Sequence, residues 1–275
     1  MYFYKNQFLP KNDIQISPDD RGYYFGDGIY EVFRVYQGTL YEQEAHMQRL
    51  QRSASEVRLE LPYTSDKIGE ILTELVHKNA LVEGTVYVQI TRGEAPRAHP
   101  FPTHAEPVLL AYCTTVPRPV SAMQQGIQAI TLADIRWLRC DLKTLNLLPN
   151  TMAKQAALDH GVQEVVLHRD GIVTECSASN IMMIKDNVLY THPANHLILH
   201  GITRAVVLRL AHSLKINVKE QAFTTEQLLL ADEAFITGTT VEITPILQID
   251  GKPIANGSPG PLTQTLQREF ERTFA

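Results

Sequence analysis

Residues 115–120 read Thr-Val-Pro-Arg-Pro-Val, and this short run limits the fold more than any other feature of the chain. Pro117 and Pro119 cannot both sit inside a helix, because each lacks an amide donor and its ring meets the preceding turn. They favour an extended connection instead. A chain of 275 residues is also near the size at which one hydrophobic core stops growing and a second begins. Together these features predict two domains, 1–116 and 122–275, joined by a linker at 117–121.

Each side of that linker has its own periodicity. Residues 22–37 alternate around Tyr30, Val32 and Phe33 after a Gly26-Asp27-Gly28 turn, which reads as a strand leaving a tight bend. From 42 to 57, Met47, Leu50, Ala54 and Val57 recur at three and four residues, the spacing of a helix with one buried stripe. Thr64 reads as the N-cap of a second helix carrying Ile68, Ile71, Leu72, Leu75 and Val76. Strands are predicted at 85–91 and 108–113. Beyond the linker, 127–132 reads as a strand, Asn150 as the cap of a helix closed by Gly161, and Asp170-Gly171 as a hairpin turn. A further turn is predicted at Asp186-Asn187 and a helix from Gly201 to about 214. Thr224 and Gln227 have capping-box spacing, and a C-terminal helix carries Leu262, Leu266, Phe270 and Phe274. The class is α+β: a smaller, sandwich-like N-terminal α/β domain and a larger C-terminal domain whose many short strands predict a barrel-like sheet.

Composition narrows the function classes. With 44% hydrophobic and 20% charged residues and a net charge of −5, the chain is neither disordered nor broadly attracted to nucleic acid or anionic membrane. An anionic ligand must therefore be held locally. The N-terminus lacks a secretory pattern and no window reaches the roughly 18 apolar residues of a membrane span, so a cytoplasmic location is expected. Three scattered cysteines, Cys113, Cys140 and Cys176, suit neither a disulfide framework nor a zinc site. No metal is expected.

Several residues carry chemistry. Lys143 lies in the mostly apolar run Cys140-Asp-Leu-Lys-Thr-Leu-Asn-Leu-Leu148; a neutral amine is the form that adds to carbonyls, and apolar surroundings favour it. The competing reading is a snorkelling surface lysine. Glu175 ends the strand Ile172-Val173-Thr174 and is followed by Cys176-Ser177-Ala178-Ser179-Asn180; it is either a partner for a cationic heteroaromatic nitrogen or a solvated strand end. Two glycine-threonine clusters, His200-Gly201-Ile202-Thr203 and Thr237-Gly238-Thr239-Thr240, suit a phosphate as well as they suit ordinary capping and turning. Arg49 can add a bidentate contact to an anion. Arg97 and His99 stand one residue apart on a loop stiffened by Pro96, Pro100 and Pro102, placed to converge on one carboxylate. Tyr30 and Tyr87, both on strands, offer hydroxyl donors or serve as core.

Taken together, these segments resemble the fold type IV pyridoxal-phosphate enzymes, and most closely the D-amino acid aminotransferases, along essentially the whole chain. The resemblance rests on Arg21-Gly-Tyr-Tyr-Phe-Gly-Asp-Gly-Ile-Tyr-Glu-Val32, the Lys143 segment, Thr174-Glu175 to Asn180, and Ile243-Thr244-Pro245. It implies a homodimer with pyridoxal 5′-phosphate at the domain boundary, and Lys143 as the residue that bonds the cofactor and moves the α-proton. It further implies that Glu175 faces the pyridinium nitrogen, that Arg49, Ile202, Thr203 and Thr239 hold the phosphate, and that Ser179 belongs with these cofactor contacts. Tyr30, Arg97 and His99 would trap the α-carboxylate, the last two from the neighbouring subunit, with Tyr87 and Thr240 completing the substrate pocket. The implied activity is amino transfer in two half-reactions, from a D-amino acid such as D-alanine to an oxo acid such as 2-oxoglutarate.

Three relatives of the same fold are alternatives. Branched-chain aminotransferases usually carry Asn-Tyr where this chain has Leu147-Leu148. Aminodeoxychorismate lyases usually carry Arg and an acidic residue at positions held here by Leu147 and Pro149, and lack the Arg97-x-His99 pair. The (R)-amine transaminases share the cofactor face and differ in pocket residues. The chain departs from the D-amino acid pattern at Cys176 and Pro149, each in place of a common glycine, and at Gly238, where serine is frequent.

Overall fold

A computed structural model of the protein covers residues 1–275 and divides the chain into two compact units. One is Met1–Arg118 together with Leu142–Leu147; the other is Pro119–Asp141 together with Leu148–Ala275. The break falls between Arg118 and Pro119. Residues 142–147, which a simple division at the linker leaves in the second unit, belong to the first, because their backbone bonds to a strand of its sheet: Tyr30 N donates to Lys143 O (3.0 Å) and Leu145 N to Gly28 O (3.0 Å).

The first unit runs β1 (Tyr2–Tyr4), β2 (Gln7–Leu9), α1 (Arg21–Phe25), β3 (Gly28–Tyr36), β4 (Thr39–Leu40), α2 (Gln43–Glu56), α3 (Ser65–Lys78), β5 (Gly84–Thr91) and β6 (Val108–Thr114). Its six strands form an antiparallel sheet in the order β2-β1-β6-β5-β3-β4. Alternation along β3 turns Ile29, Phe33 and Val35 onto a core shared with Leu50 and Ala54 of α2 and Ile68, Leu72 and Leu75 of α3. Burying each large aliphatic or aromatic side chain of this kind stabilises the unit by roughly 1.5–3 kcal/mol. Thr64 caps α3 as its sequence predicts, accepting from Lys67 N at 3.2 Å. Residues 21–25 form α1 rather than the start of a strand. Asp20 caps that helix by accepting from Gly22 N (2.7 Å), and Gly26 ends it in the left-handed region at φ 62°.

The second unit runs α4 (Val120–Gln125), β7 (Ile127–Ala133), α5 (Leu148–Asp159), β8 (Glu164–Arg169), β9 (Ile172–Cys176), β10 (Asn180–Lys185), β11 (Val188–Thr191), α6 (Ile202–Ser213), β12 (Asn217–Glu220), α7 (Thr225–Leu229), β13 (Glu233–Gly238), β14 (Glu242–Ile249), β15 (Lys252–Pro253) and α8 (Pro261–Glu271). Its strand order is β12-β11-β10-β13-β14-β7-β8-β9, with β15 paired to β14. In that order β9 lies five places from β10, yet only Ser177–Ser179 join them. A flat sheet would hold the two strands about 24 Å apart at ~4.8 Å per strand, whereas that link reaches about 15 Å at most. The sheet therefore curls back on itself as a half-barrel around Val166, Val173, Ile181, Ile236 and Ile246.

The turns follow their residue types. Asp170 and Gly171 both have positive φ, 48° and 79°, and join β8 to β9; Asp186 and Asn187 do the same between β10 and β11 at 51° and 60°. Thr224 and Gln227 form the predicted capping box. Asn150, expected to cap a helix, lies inside α5, which begins at Leu148; its side-chain amide instead donates to Ser177 O at 2.7 Å. No helix is long and apolar enough to cross a membrane.

Candidate active site

In the first unit the Lys143 segment lies along β3. Thr144 bridges Ile29, and Lys143 N donates to Ser53 Oγ of α2 at 3.3 Å. This close approach needs a glycine at position 28, where a Cβ would stand 2.7 Å from Ile90 O and 2.8 Å from the Leu145 side chain. With its backbone held from both sides, Lys143 carries its half-buried amine 4.1 Å from the centre of the Tyr30 ring. Tyr30 is the first of a stack across the sheet face opposite the core. Its ring lies 5.6 Å from Tyr87, which lies 5.1 Å from Tyr112, which lies 5.0 Å from Tyr2. Burial, then the neighbouring phenols Tyr112 and Tyr30, push the Tyr87 hydroxyl up, so it stays a neutral donor and bonds Gln89 Oε1 at 3.0 Å.

Arg49 lies behind this face, on the core side of the sheet. Its Nε and Nη2 donate to the two oxygens of the fully buried Glu31 at 2.7 and 2.8 Å, and His46 Nδ1 lies 2.8 Å from Glu31 Oε2. Burial alone would raise the Glu31 carboxyl; the charge and hydrogen bonds of Arg49, joined by His46, overcome it and hold the group below the usual carboxylate range. Burial lowers the His46 imidazole despite Glu31 beside it. One bidentate face of Arg49 is thus taken by Glu31, a contact that the sequence did not signal.

Arg97 and His99 are exposed on the connection between β5 and β6. The Arg97 guanidinium stands 5.3 Å over the Phe25 ring, and the His99 ring centre is 5.6 Å from that of Phe25. Within the chain, neither bonds to Lys143 or Tyr30.

In the second unit Glu175 is buried at the end of β9. Asn180 Nδ2 donates to its Oε2 at 2.8 Å, Leu199 N reaches both oxygens at 3.2 and 3.1 Å, and Arg136 Nη1 donates to Oε1. Burial pushes the carboxyl up to about 7 even so, because Arg136 and these donors only partly offset it. Arg136 is itself divided: its Nε and Nη2 each lie 2.9 Å from an oxygen of Asp134, which also accepts from Thr174 Oγ1 (2.9 Å) and Arg169 Nε (3.2 Å). No pattern in the sequence marked Asp134 or Arg136; only the fold brings them to Glu175.

Asn180 gathers the rest of this half. It pairs in the sheet with Thr237, whose buried hydroxyl has no hydrogen-bond partner, and its Oδ1 would stand 2.0 Å from any Cβ on Gly201. Gly201 caps α6, whose first internal bond is Ala205 N to Gly201 O (3.0 Å), leaving the Ile202 and Thr203 amides at the dipole's positive end without an intrahelical acceptor. The turn after β13 holds a half-buried Thr239 and an exposed Thr240, and Ser179 lies beside Gly238 with its hydroxyl 3.3 Å from Glu164 Oε2. The glycine that only close packing explains, the orphaned Thr237 hydroxyl and the helix amides fit a phosphate. Glu175 fits a cationic ring nitrogen, and Lys143 in the other unit fits a carbonyl carbon. No cluster of side chains suits a metal ion.

Comparison with known proteins agrees with these residues. The D-alanine aminotransferase of Staphylococcus epidermidis is 46% identical over 98% of this chain and 96% of its own length, and that of Bacillus licheniformis is 43% identical over the same shares. Among solved structures, the branched-chain amino acid aminotransferase of Escherichia coli superposes with a TM-score of 0.94 at 27% identity, covering 100% of this chain and 94% of its own. A thermophile's branched-chain amino acid aminotransferase, solved with pyridoxamine 5′-phosphate, gives 0.91 at 27% identity over 99% and 93%. The amino-transferase class IV family model matches residues 28–249, and with these relatives it makes the chain a member of the class IV aminotransferases.

Proposed function

We propose that the protein is a pyridoxal-phosphate-dependent D-amino acid aminotransferase, moving the amino group of a D-amino acid such as D-alanine to an oxo acid such as 2-oxoglutarate, and working as a cytoplasmic homodimer. The observation that carries this reading is the 46% identity to a D-alanine aminotransferase over 98% of the chain, with Lys143, Glu175 and Arg97-x-His99 all present in it. When bound, the cofactor supplies an electron sink for the carbanion left by loss of the α-proton.

The chain's own residues do the rest. Lys143 attaches the cofactor through its amine and then carries the proton to and from the substrate α-carbon, a movement for which its flexible stem over Tyr30 is suited. Glu175 is ionised when it faces a protonated ring nitrogen and keeps that proton in place; Arg136 and Asn180 orient it. The amides of Ile202 and Thr203, with Thr239, Ser179 and Arg49, hold the phosphate. Tyr30 offers its hydroxyl to the substrate carboxylate. Arg97 and His99 of one protomer grip that carboxylate in the site of its partner, which presents the α-hydrogen to Lys143 only for the D-enantiomer. Tyr87 and Thr240 border the side-chain space.

A branched-chain reading draws on the 0.94 superposition and on Gly238-Thr239, which is similar to that branch. Initial rates of the holoenzyme with D-alanine, D-glutamate, L-leucine, (R)-1-phenylethylamine and aminodeoxychorismate separate all the relatives. D-alanine is expected to lead. Preference for L-leucine overturns the D-specific assignment and leaves the aminotransferase assignment standing.

A further inference from the structure

The connection that carries Arg97 and His99 is exposed from Arg97 to Phe101, yet it is held unusually well. At its neck Gly93 has φ 95°, and a Cβ there would lie 2.0 Å from Glu106 O, so the two limbs meet backbone to backbone. Farther out, the buried Arg21 donates from Nη1 to Ala98 O (2.6 Å) and from Nη2 to His99 O (3.4 Å). Its Nε donates to Asp27 Oδ2 at 2.8 Å, and Arg92 Nε holds the same carboxylate from the other side at 2.9 Å. Arg92 is tied in turn to Val57 O (2.9 Å) and Arg58 O (2.7 Å) at the end of α2. One guanidinium thus connects the core of the first unit to two successive carbonyls of an otherwise solvated loop.

Phe25 completes the device. Its ring takes Arg21 on its face at 4.8 Å, Arg97 at 5.3 Å and the His99 ring at 5.6 Å. Arg97 and His99 flank Ala98, so fixing the Ala98 and His99 carbonyls sets the direction of the backbone between them, and a shared aromatic face sets the spacing of the two side chains.

We infer that Phe25 and Arg21 are positioning residues for the carboxylate clamp: Arg21 fixes the Ala98–His99 backbone, and the Phe25 ring holds Arg97 and His99 at the separation that one carboxylate requires. This rests on the reading of Arg97 and His99 given above. Neither positioning residue touches the substrate, so both act on the recognition of the carboxylate and leave the cofactor to other residues.

The test uses holoenzyme with D-alanine. Phe25→Leu keeps the apolar bulk and removes the ring face; its KM is expected to rise about tenfold, the upper range for a partly desolvated cation over a ring. Its kcat, bound pyridoxal phosphate and melting temperature should stay close to wild type. Phe25→Tyr should restore KM. The double variant Phe25→Leu/Arg97→Ala should be no worse than Arg97→Ala alone, because the ring acts through the arginine. Arg21→Lys, which keeps a charge beside Asp27 but cannot reach both carbonyls, should repeat the KM-selective loss and serves if Phe25→Leu does not fold. Wild-type KM in Phe25→Leu beside an impaired Arg97→Ala overturns the proposal alone. So do additive losses in the double variant, or an equal fall of kcat and cofactor content. A silent Arg97→Ala overturns the carboxylate reading and the proposal together.

Discussion

Glu175 makes a prediction that can be checked on the protein freed of cofactor. Its carboxyl is raised from the usual 4.5 to about 7, chiefly by burial. Between those values the folded chain holds a proton that the unfolded chain has released. The slope of unfolding free energy with pH is set by protons bound unfolded minus protons bound folded, which is negative here, so this group makes the fold less stable as pH rises from about 4.5 to about 7. Integrating the two titrations from pH 5 to pH 8 gives a loss of roughly 2.5 kcal/mol from this one side chain. Glu175→Gln removes the titration and keeps the shape. Urea unfolding of the apoprotein at pH 5, 6, 7 and 8, taken as wild type minus Glu175→Gln, cancels every other titrating group. The difference should shift in favour of the variant by that amount and level off above pH 8. A constant difference across the range would refute the reasoning. The variant should bind pyridoxal phosphate and lose most of its turnover, because a neutral amide does not hold the pyridinium charge.

Three further outcomes follow from the geometry. Lys143→Ala should abolish steady-state transamination with little change in melting temperature, since its backbone contacts to Tyr30 and Ser53 survive the substitution; near-normal turnover would remove it from the mechanism. Gly201→Ala puts a methyl where Asn180 Oδ1 lies 2.0 Å away; overpacking of this kind costs about 1–3 kcal/mol, and the displaced amide should weaken pyridoxal phosphate binding measured by absorbance titration. Unchanged affinity would show that Asn180 can move without consequence. Glu31→Leu leaves Arg49 buried without its carboxylate, a loss of about 3–5 kcal/mol that a thermal melt should register as a large drop. An unaltered melt would mean that Glu31 is dispensable.

The parts of this structure that were legible in the sequence are those set by neighbours in the chain. Thr64 and Thr224 find their hydrogen-bond donors three residues on, and Asp170-Gly171 needs only its own backbone. Lys143 and Glu175 stood out through the motifs around them. What stayed hidden depends on distant partners. Asn150 was read as a cap because of its type and place, but its amide answers to Ser177 O, 27 positions away. Arg136 reaches Glu175 across 39 positions from a stretch with no pattern, and residues 142–147 rejoin the first unit through β3, more than a hundred positions earlier. Local chemistry writes caps and turns into a sequence, whereas a buried ion pair is written only by the fold.

Glu31 and Glu175 are the two clearest cases of such burial. Both are fully buried glutamates and both accept from an arginine, yet one carboxyl is held below the usual range and the other raised to about 7. Burial acts on both alike, so the difference lies in how each arginine is shared. Arg49 turns a bidentate face to Glu31, with His46 adding a second donor. Arg136 gives Glu175 one nitrogen and turns two to Asp134, whose own negative charge pushes Glu175 further up. Glu31 is therefore a completed ion pair that fixes α2 to β3. Glu175 is a carboxylate short of positive charge, and a cationic ring nitrogen is the group that would complete it. Environments that push two like residues apart in this way separate framework from chemistry, and here they do so within a class IV aminotransferase chain whose framework arginine and cofactor-facing glutamate lie in different units.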